Sequence, residues 1–229
     1  MRGDFMGIDD INNSPNAVKL WVENEKKAAK QYYTDHPDSL VPQFEKKLSN
    51  MGFDVTPGNH LIGFMPKYKK EILPIAITYY QLAKEQHRFN EQNFFMSFLG
   101  FKGFDEVVPL LLSDYNSEDT PDLTRWFISD CLYKIRSRHF ISEYVEIASN
   151  PIWGRNRQMI ILLLGKLREE CAIPTLINLL DDESVRMHAI CALGCFKKAE
   201  FRCYFERYLN DKNPGCRKYA KTALNKLPM

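Results

Sequence analysis

The chain has 229 residues, a formal net charge of +2, and a composition of 45% hydrophobic and 26% charged residues. This length allows one large domain or two small ones, and the composition excludes a disordered or fibrous chain. The longest apolar run, Met159 to Leu164, is far shorter than the roughly 20 residues of a membrane-spanning helix. The N-terminus also lacks the apolar stretch of a secretion signal. We therefore expect a cytoplasmic protein that does not enter a membrane.

The first part of the chain, residues 1–66, is predicted to form an N-terminal helical cap. Apolar residues recur at helical spacing from Ala17 to Tyr33 and from Leu40 to Met51, and again beyond the cap from Tyr68 to His87. Residues 51–66 contain three glycines and show no helical period. We expect an irregular connection there, and it is the best candidate for a functional loop outside the repeats.

Residues 67–229 are predicted to form one continuous array of repeated helix pairs. Five segments align, namely Gln92–Lys102, Arg125–Ile135, Arg157–Leu167, Arg186–Phe196 and Arg217–Leu227. A second alignment agrees with the first, because Gly100 and Gly165 lie 65 residues apart and so do Pro109 and Pro174. Each unit reads as helix, short turn, helix, short turn. Because its apolar positions fall on one face, a unit must stack on its neighbours to be stable.

This repeat pattern resembles the HEAT-repeat family, in particular its short PBS-lyase-like repeats. The resemblance covers about Phe89 to Leu227 and is closest from Ala172 to Phe196, where a proline, turn acids, an arginine and an Ala-Leu-Gly helix follow in order. It implies an all-α fold, a right-handed α-solenoid of about five helix pairs with an N-terminal helical cap. It also implies a structural ladder in which repeated arginines bond turn carboxylates of adjacent repeats, with Arg157, Arg186, Arg217, Asp182 and Asp211 as its members.

A second resemblance concerns catalysis. Trp126 and Asp130 share a helical face, and Arg157 opens the corresponding helix of the next repeat after an Ile-Trp pair. These residues resemble a motif of the DNA alkylation repeat glycosylases, which implies Asp130, Trp126 and Arg157 as catalytic residues. The sequence has one extra residue before Arg157, however, and lacks a further tryptophan of that family. We therefore expect the resemblance to be coincidental, with Trp126 buried between helices and Asp130 paired with Lys134.

The sequence lacks the motifs of other common enzyme classes. The chain contains no phosphate-binding glycine motif, no zinc-protease motif and no nucleophile elbow. Its five histidines never join its six cysteines at a zinc-ligand spacing, and we expect these cysteines to be reduced and mostly buried. We expect no metal and no cofactor, and the sequence favours a protein without enzymatic activity.

Charge is distributed in blocks of alternating sign. Residues 169–185 hold five acids and no base, whereas residues 186–229 hold ten bases and three acids. Solvated helix faces explain such blocks, and so does a basic surface for an acidic partner or nucleic acid. The candidate binding residues are Arg136, Arg138, Arg155, Arg157, Lys197, Lys198 and Arg202. The sequence favours a protein-binding module that acts as an adaptor, regulator or inhibitor of a protein partner. The alternative is a DNA-binding HEAT-like protein related to alkylpurine DNA glycosylases.

Overall fold

The structure is a computed structural model that describes residues 15–53 and 61–228. Within these residues the chain forms twelve α-helices and no β-strand, so the prediction of an all-α fold is confirmed. No helix in the described part of the chain is long and apolar enough to cross a membrane. The chain divides into two compact units, the first ending at Phe98 and the second beginning at Leu99. This division falls inside the first aligned segment, Gln92–Lys102.

In residues 15–53 and 61–98 the first unit has four helices: α1 (Pro15–Asp35), α2 (Leu40–Asn50), α3 (Leu61–Glu85) and α4 (Phe89–Met96). Helix α3 packs against both α2 and α4. The centre of the unit is aromatic, because the ring of Phe44 on α2 lies 5.4 Å from Tyr79, 5.2 Å from Phe95 and 5.0 Å from Phe98. Edge-to-face pairs at these distances are favourable beyond the area that they bury.

The predicted irregular segment 51–66 is partly helical, which corrects the sequence interpretation. Residues 54–60 lie outside the described residues, but α3 already begins at Leu61. The helix bends at Tyr68, whose φ of −111° and ψ of 18° are not helical. This bend follows Pro66, which has no N–H to donate to the preceding turn. Gly63 and Pro66 hid the helical period in the sequence, because both residues are unfavourable inside a helix.

The second unit consists of four consecutive helix pairs. Its helices are α5 (Val108–Tyr115), α6 (Asp122–Ile135), α7 (Ile141–Ser149), α8 (Gln158–Leu167), α9 (Ile173–Asn178), α10 (Arg186–Leu193), α11 (Arg202–Glu206) and α12 (Pro214–Leu224). Helix α5 packs on α6, α7 on α8, α9 on α10, and α11 on α12. The helices α6, α8, α10 and α12 also pack successively against one another, and α7 packs against α9. Each of these four successive helices belongs to one of the aligned segments.

Small residues bring these successive helices close together at equivalent positions. A Cβ atom added to Gly165 on α8 would lie 2.4 Å from the Cα atom of Ala192 on α10. At the next interface, a Cβ atom on Gly194 would lie 2.9 Å from the Cβ atom of Ala223 on α12. Both separations are shorter than van der Waals contact. The Ala-Leu-Gly pattern therefore has a packing cause, which offsets the low helix propensity of Gly165.

Helices α6, α8, α10 and α12 point in the same direction, as contacts at both of their ends show. At their starts, Asn156 donates to Asp122 at 2.9 Å, bringing the turn before α8 to α6. At their C-terminal ends, Arg138 donates from Nη2 to the carbonyl oxygen of Leu167 at 2.8 Å. Lys198, beyond α10, lies 2.5 Å from Glu170, beyond α8. We call the two sides of this layer the start edge and the end edge.

Candidate functional site

Arg157 lies on the start edge and is buried, with only 2% of its surface exposed. Its Nε donates to the carbonyl oxygen of Gly154 at 3.0 Å, and its Nη1 donates to that of Ala148 at 2.9 Å. The remaining nitrogen, Nη2, donates to the carboxylate of Asp182 in the turn before α10. The guanidinium therefore links the last turn of α7 to the next helix pair. It is not available to a ligand in this conformation.

The other repeated arginines make related contacts. Arg186 donates from Nε to the carbonyl oxygen of Leu180 at 2.8 Å, and its Nη1 lies 3.6 Å from the carboxylate of Asp211. Arg217 donates to the carbonyl oxygens of Asp211 and Lys212 at 2.7 and 3.1 Å rather than to a carboxylate. Each of these arginines thus donates to carbonyl groups of the segment between the preceding helix and its own.

Arg125 occupies the same position in its own segment, but its carboxylate partner is local. It donates from Nε to the carbonyl oxygen of Tyr115 at 2.9 Å and from Nη1 to Asp122 at 3.1 Å. The next turn has Asn150, whose side chain accepts from the backbone N–H two residues on, as those of Asp182 and Asp211 do. Asn150 carries no negative charge with which an arginine could form an ion pair. The contact from arginine to the next carboxylate therefore occurs at Arg157 and Arg186.

The carboxylate of Asp182 is held in its charged form by these contacts. Burial alone would raise its pKa, but the hydrogen bonds from Ser184 and Arg157 outweigh burial and keep the pKa below its ordinary value. Ser184 donates from both its hydroxyl group and its backbone N–H, at 2.7 and 2.9 Å. A carboxylate with this many donors is a structural connection between neighbouring helix pairs.

The three residues of the glycosylase-like motif have different environments. The carboxylate of Asp130 forms an ion pair with the Nζ of Lys134 at 2.6 Å, as expected. Trp126 is 38% exposed, so the expectation that it packs between helices is wrong. The buried face of α6 carries the apolar residues Ile128, Leu132 and Ile135, and with them the polar residues Arg125 and Ser129, which are hydrogen-bonded. Trp126 consequently lies on the opposite, solvent-facing side of the helix.

The extra residue before Arg157 is accommodated at Gly154. The segment Pro151–Arg157 is a 3₁₀ helix interrupted at Gly154, whose φ is 46° and ψ is −123°. The conformation is one that side-chain-bearing residues rarely adopt. On one side of this bend, the ring of Trp153 lies 5.4 Å from that of Tyr115 and 4.6 Å from the guanidinium of Arg125. The neighbouring Ile152 is 76% exposed.

An exposed apolar patch results at the start of α6. In the described part of the second unit, the large apolar side chains that are exposed are Leu123 at 60%, Trp126 at 38% and Ile152 at 76%. Leu123 and Trp126 are three residues apart on α6, and the 3₁₀ helix that carries Ile152 packs against α6. We call these three residues the apolar patch. Exposed apolar clusters of this kind mark interaction sites on folded proteins.

The predicted binding residues divide into engaged and unengaged cations. Arg138 pairs with Glu169, Lys198 with Glu170 at 2.5 Å, and Arg202 lies 4.0 Å from Glu206. The hydrogen bond from Lys198 to Glu170 raises the pKa of the lysine. Arg136, Arg155 and Lys197 have no carboxylate within 4.0 Å among the described residues, and Arg155 and Lys197 are exposed.

A pocket in the first unit was not predicted from the sequence. It has a volume of about 520 Å³ and is lined by Tyr32, His36, Asp38, His87, Arg88, Phe89, Asn90 and Glu91. Arg88 is engaged with Asp38 at 2.6 Å, and the buried Glu91 accepts from the Ser39 hydroxyl at 2.5 Å. His36 stacks on Tyr32 with ring centroids 4.3 Å apart. No sequence signal joins His36 to His87, because only the packing of the helices brings them to one pocket.

Comparisons with known proteins add no assignment. No protein-family model matches the chain, and no curated protein matches it with statistical significance. Among residues 15–53 and 61–228, no group of three or more His, Cys, Asp or Glu side chains is arranged to hold a metal ion.

Proposed function

We propose that the chain is a cytoplasmic, right-handed HEAT-like α-solenoid with an N-terminal helical cap, which binds another protein without catalysis and acts as an adaptor, regulator or inhibitor. Three features of the second unit support the repeat architecture. Its helix pairs contact their neighbours successively, Gly165 and Gly194 meet alanines at equivalent positions, and Arg157 and Arg186 link consecutive turns. Stacked repeats of this type provide extended surfaces for partners.

The observation that carries the protein-binding proposal is the apolar patch. Tryptophan is enriched among residues that dominate protein interfaces, and such residues sit in apolar centres surrounded by polar groups. The patch formed by Leu123, Trp126 and Ile152 has this composition. Its polar surroundings include the exposed Asp122, which accepts from Asn156. Leaving an isoleucine 76% exposed has no benefit for folding.

The glycosylase-related alternative has weaker support. It retains an exposed tryptophan, Trp126, but Asp130 is paired with Lys134 and the donors of Arg157 are engaged in the fold. An aromatic surface without an available carboxylate or cation lacks the groups that would stabilise charge during cleavage of a glycosidic bond. We therefore place this alternative second.

Site-specific photo-crosslinking in the native cells tests the proposal. A photo-reactive phenylalanine analogue at Ile152 should give a discrete protein adduct, and Leu123→Asp should abolish it. Leu20→Asp is the matched control, because Leu20 is exposed to the same extent, 59% against 60% for Leu123, but lies on α1. The control variant should retain the adduct. An adduct that persists in Leu123→Asp, or that nuclease removes, would contradict protein binding at the patch.

A base-release assay tests the alternative directly. We expect no free base when the protein is incubated with methylated duplex DNA. Release of base that disappears in Asp130→Asn would replace the protein-binding proposal with the glycosylase-related one.

A further inference from the structure

A second surface lies on the end edge, apart from the apolar patch. Arg136, Arg168 and Lys197 have left-handed backbone conformations, with φ of 60°, 56° and 55°. Each stands eleven residues after the first arginine of its aligned segment. Glycine is favoured at such positions because it adopts positive φ without strain, and the first segment has Gly103 there with φ of 86°. The second, third and fourth segments have a long basic side chain there despite the backbone cost.

Two further cations extend this set. Lys166 lies on the last turn of α8, and Lys226 follows the end of α12, nine residues after Arg157 and Arg217 respectively. Lys166, Arg168, Lys197 and Lys226 are exposed, and Arg136 is half-buried. We call Arg136, Lys166, Arg168, Lys197 and Lys226 the basic row.

The members of the basic row come to one edge because the helices that carry them run in parallel. The backbone N–H of Gly103 donates to the carbonyl oxygen of Ile135 at 3.2 Å, which brings the end of the first segment to the end of α6. Arg138 bonds Leu167 at the end of α8, and Lys198 pairs with Glu170. The contact between Gly194 and Ala223 sets the end of α12 beside that of α10.

Acidic residues do not neutralise the row. Asp130, Glu169 and Glu170 are engaged by Lys134, Arg138 and Lys198, which are not members of the row. No carboxylate of the described residues lies within 4.0 Å of any member. The remaining acids near this edge are Asp105, Glu106, Glu143 and Glu200, which stand at the starts of helices in the other layer, before or within α5, α7 and α11. Glu200 lies 3.9 Å from Lys198, which is not a member of the row. The end edge of the layer therefore presents unpaired positive charge.

A cation near a helix C-terminus also interacts favourably with the helix dipole, but this explains the row only in part. Lys197 stands beyond the turn that follows α10, which ends at Leu193. Its left-handed conformation would be less strained with glycine. The exposed ammonium and guanidinium groups also extend into solvent, where the dipole field is screened. The regular repetition of unpaired cations therefore suggests a ligand with repeated negative charge.

We propose that the basic row binds the phosphodiester backbone of a nucleic acid duplex. Neighbouring packed helices are about 8 to 10 Å apart, so the row offers long, flexible cations at regular intervals. The exposed large apolar side chains of this unit, Leu123, Trp126 and Ile152, lie at the start edge or on the start of α6. Among the described residues, the row therefore lacks the exposed apolar centre of a protein interface and the fully exposed aromatic platforms on which single-stranded bases stack. The ring of Tyr133, which lies 5.8 Å from the guanidinium of Arg136, is half-buried. Contact through phosphates alone is independent of base sequence.

Fluorescence anisotropy over a salt series tests this proposal with three probes, a 20-base-pair DNA duplex, the matching RNA duplex and polyglutamate. Five neutralised phosphates predict an affinity loss of about 500-fold between 50 and 200 mM salt. The variant Lys166→Ala/Arg168→Ala/Lys197→Ala should lower the slope of log affinity against log salt by about 0.9 per removed cation. Comparison of the two duplexes shows whether DNA or RNA is preferred.

The matched control is Arg207→Ala/Lys212→Ala/Lys218→Ala, which removes three exposed cations from the start edge. The affinity of this control variant should stay within twofold of the parent value. Its slope of log affinity against log salt should stay within 0.5 of the parent slope. Equal losses in both triple variants, absence of duplex binding at 50 mM salt, or tighter binding of polyglutamate than of either duplex would each overturn the proposal. These outcomes do not depend on Leu123 or Ile152, so they are distinguishable from a failure of the protein-binding proposal.

Discussion

The two edges of the layer formed by α6, α8, α10 and α12 carry basic residues at equally regular positions, but the structure uses them differently. At the start edge, Arg157 is 2% exposed and bonds two carbonyl groups and a carboxylate. At the end edge, Arg168, eleven residues later, is exposed and has no carboxylate within ion-pairing distance among the described residues. Repetition of a basic residue therefore indicates a repeated position, and its surroundings decide whether it stabilises the fold or faces a partner.

The largest expected effect comes from the start edge. Arg157→Ala should lower the free energy of unfolding by about 3 kcal/mol, because it leaves carbonyl groups of α7 and the 3₁₀ helix without a donor and Asp182 without its cation. Arg168→Ala, at the end edge, should change it by less than about 0.5 kcal/mol. Chemical denaturation followed by circular dichroism measures both. Similar losses in the two variants would remove the distinction between the edges.

A smaller loss of stability should distinguish two glycines of the second unit, Gly165 and Gly100. Gly165→Ala should destabilise the protein by about 2 kcal/mol, because the added Cβ atom would meet the backbone of Ala192 at 2.4 Å and this strain exceeds the gain in helix propensity. Gly100→Ala is the control, since its added Cβ atom would lie 3.3 Å from the Cys131 sulfur. Thermal melts of both variants measure the difference. A stabilised Gly165→Ala would show that α8 and α10 pack less closely than in the structure.

The helical nature and the repeat positions of this chain are accessible from sequence because they depend on local spacing. The aligned arginines at 157 and 186 both begin or immediately precede a helix and face the turn of the next pair. The glycine that recurs in these segments, at 165 and 194, also has one structural cause, close approach to an alanine. For these arginines and glycines, a repeated residue in the sequence corresponds to a repeated contact in the structure.

Side-chain environments are less predictable because they depend on residues from neighbouring helix pairs. Arg138 is engaged by Glu169, which is 31 positions away, and nothing in the local sequence distinguishes it from the unpaired Lys197. The sequence predicts that Trp126 is buried between helices, because its resemblance to the glycosylase motif is incomplete. On α6, however, Arg125 and Ser129 are buried with hydrogen bonds, and the tryptophan faces outward.

The smallest expected effect concerns the pH dependence of the Asp182 contact at the start edge. Because hydrogen bonds from Ser184 and Arg157 hold the pKa of Asp182 below its ordinary value, its stabilising effect is present above the unfolded-state pKa of about 4 and is lost as pH falls through the lower folded-state pKa. Asp182→Asn should therefore lower the free energy of unfolding by about 1 kcal/mol at pH 7 and by less at pH 2, which lies below the unfolded-state pKa, where this stabilising effect is being lost. Denaturant titrations at the two pH values measure this difference. Asp119→Asn, which removes an exposed acid from the turn before α6, should have no effect at pH 7. If Asp182→Asn lowers the free energy of unfolding as much at pH 2 as at pH 7, the side chain contributes through its shape and packing. The charge of its contact with Arg157 would then not help to hold neighbouring helix pairs together.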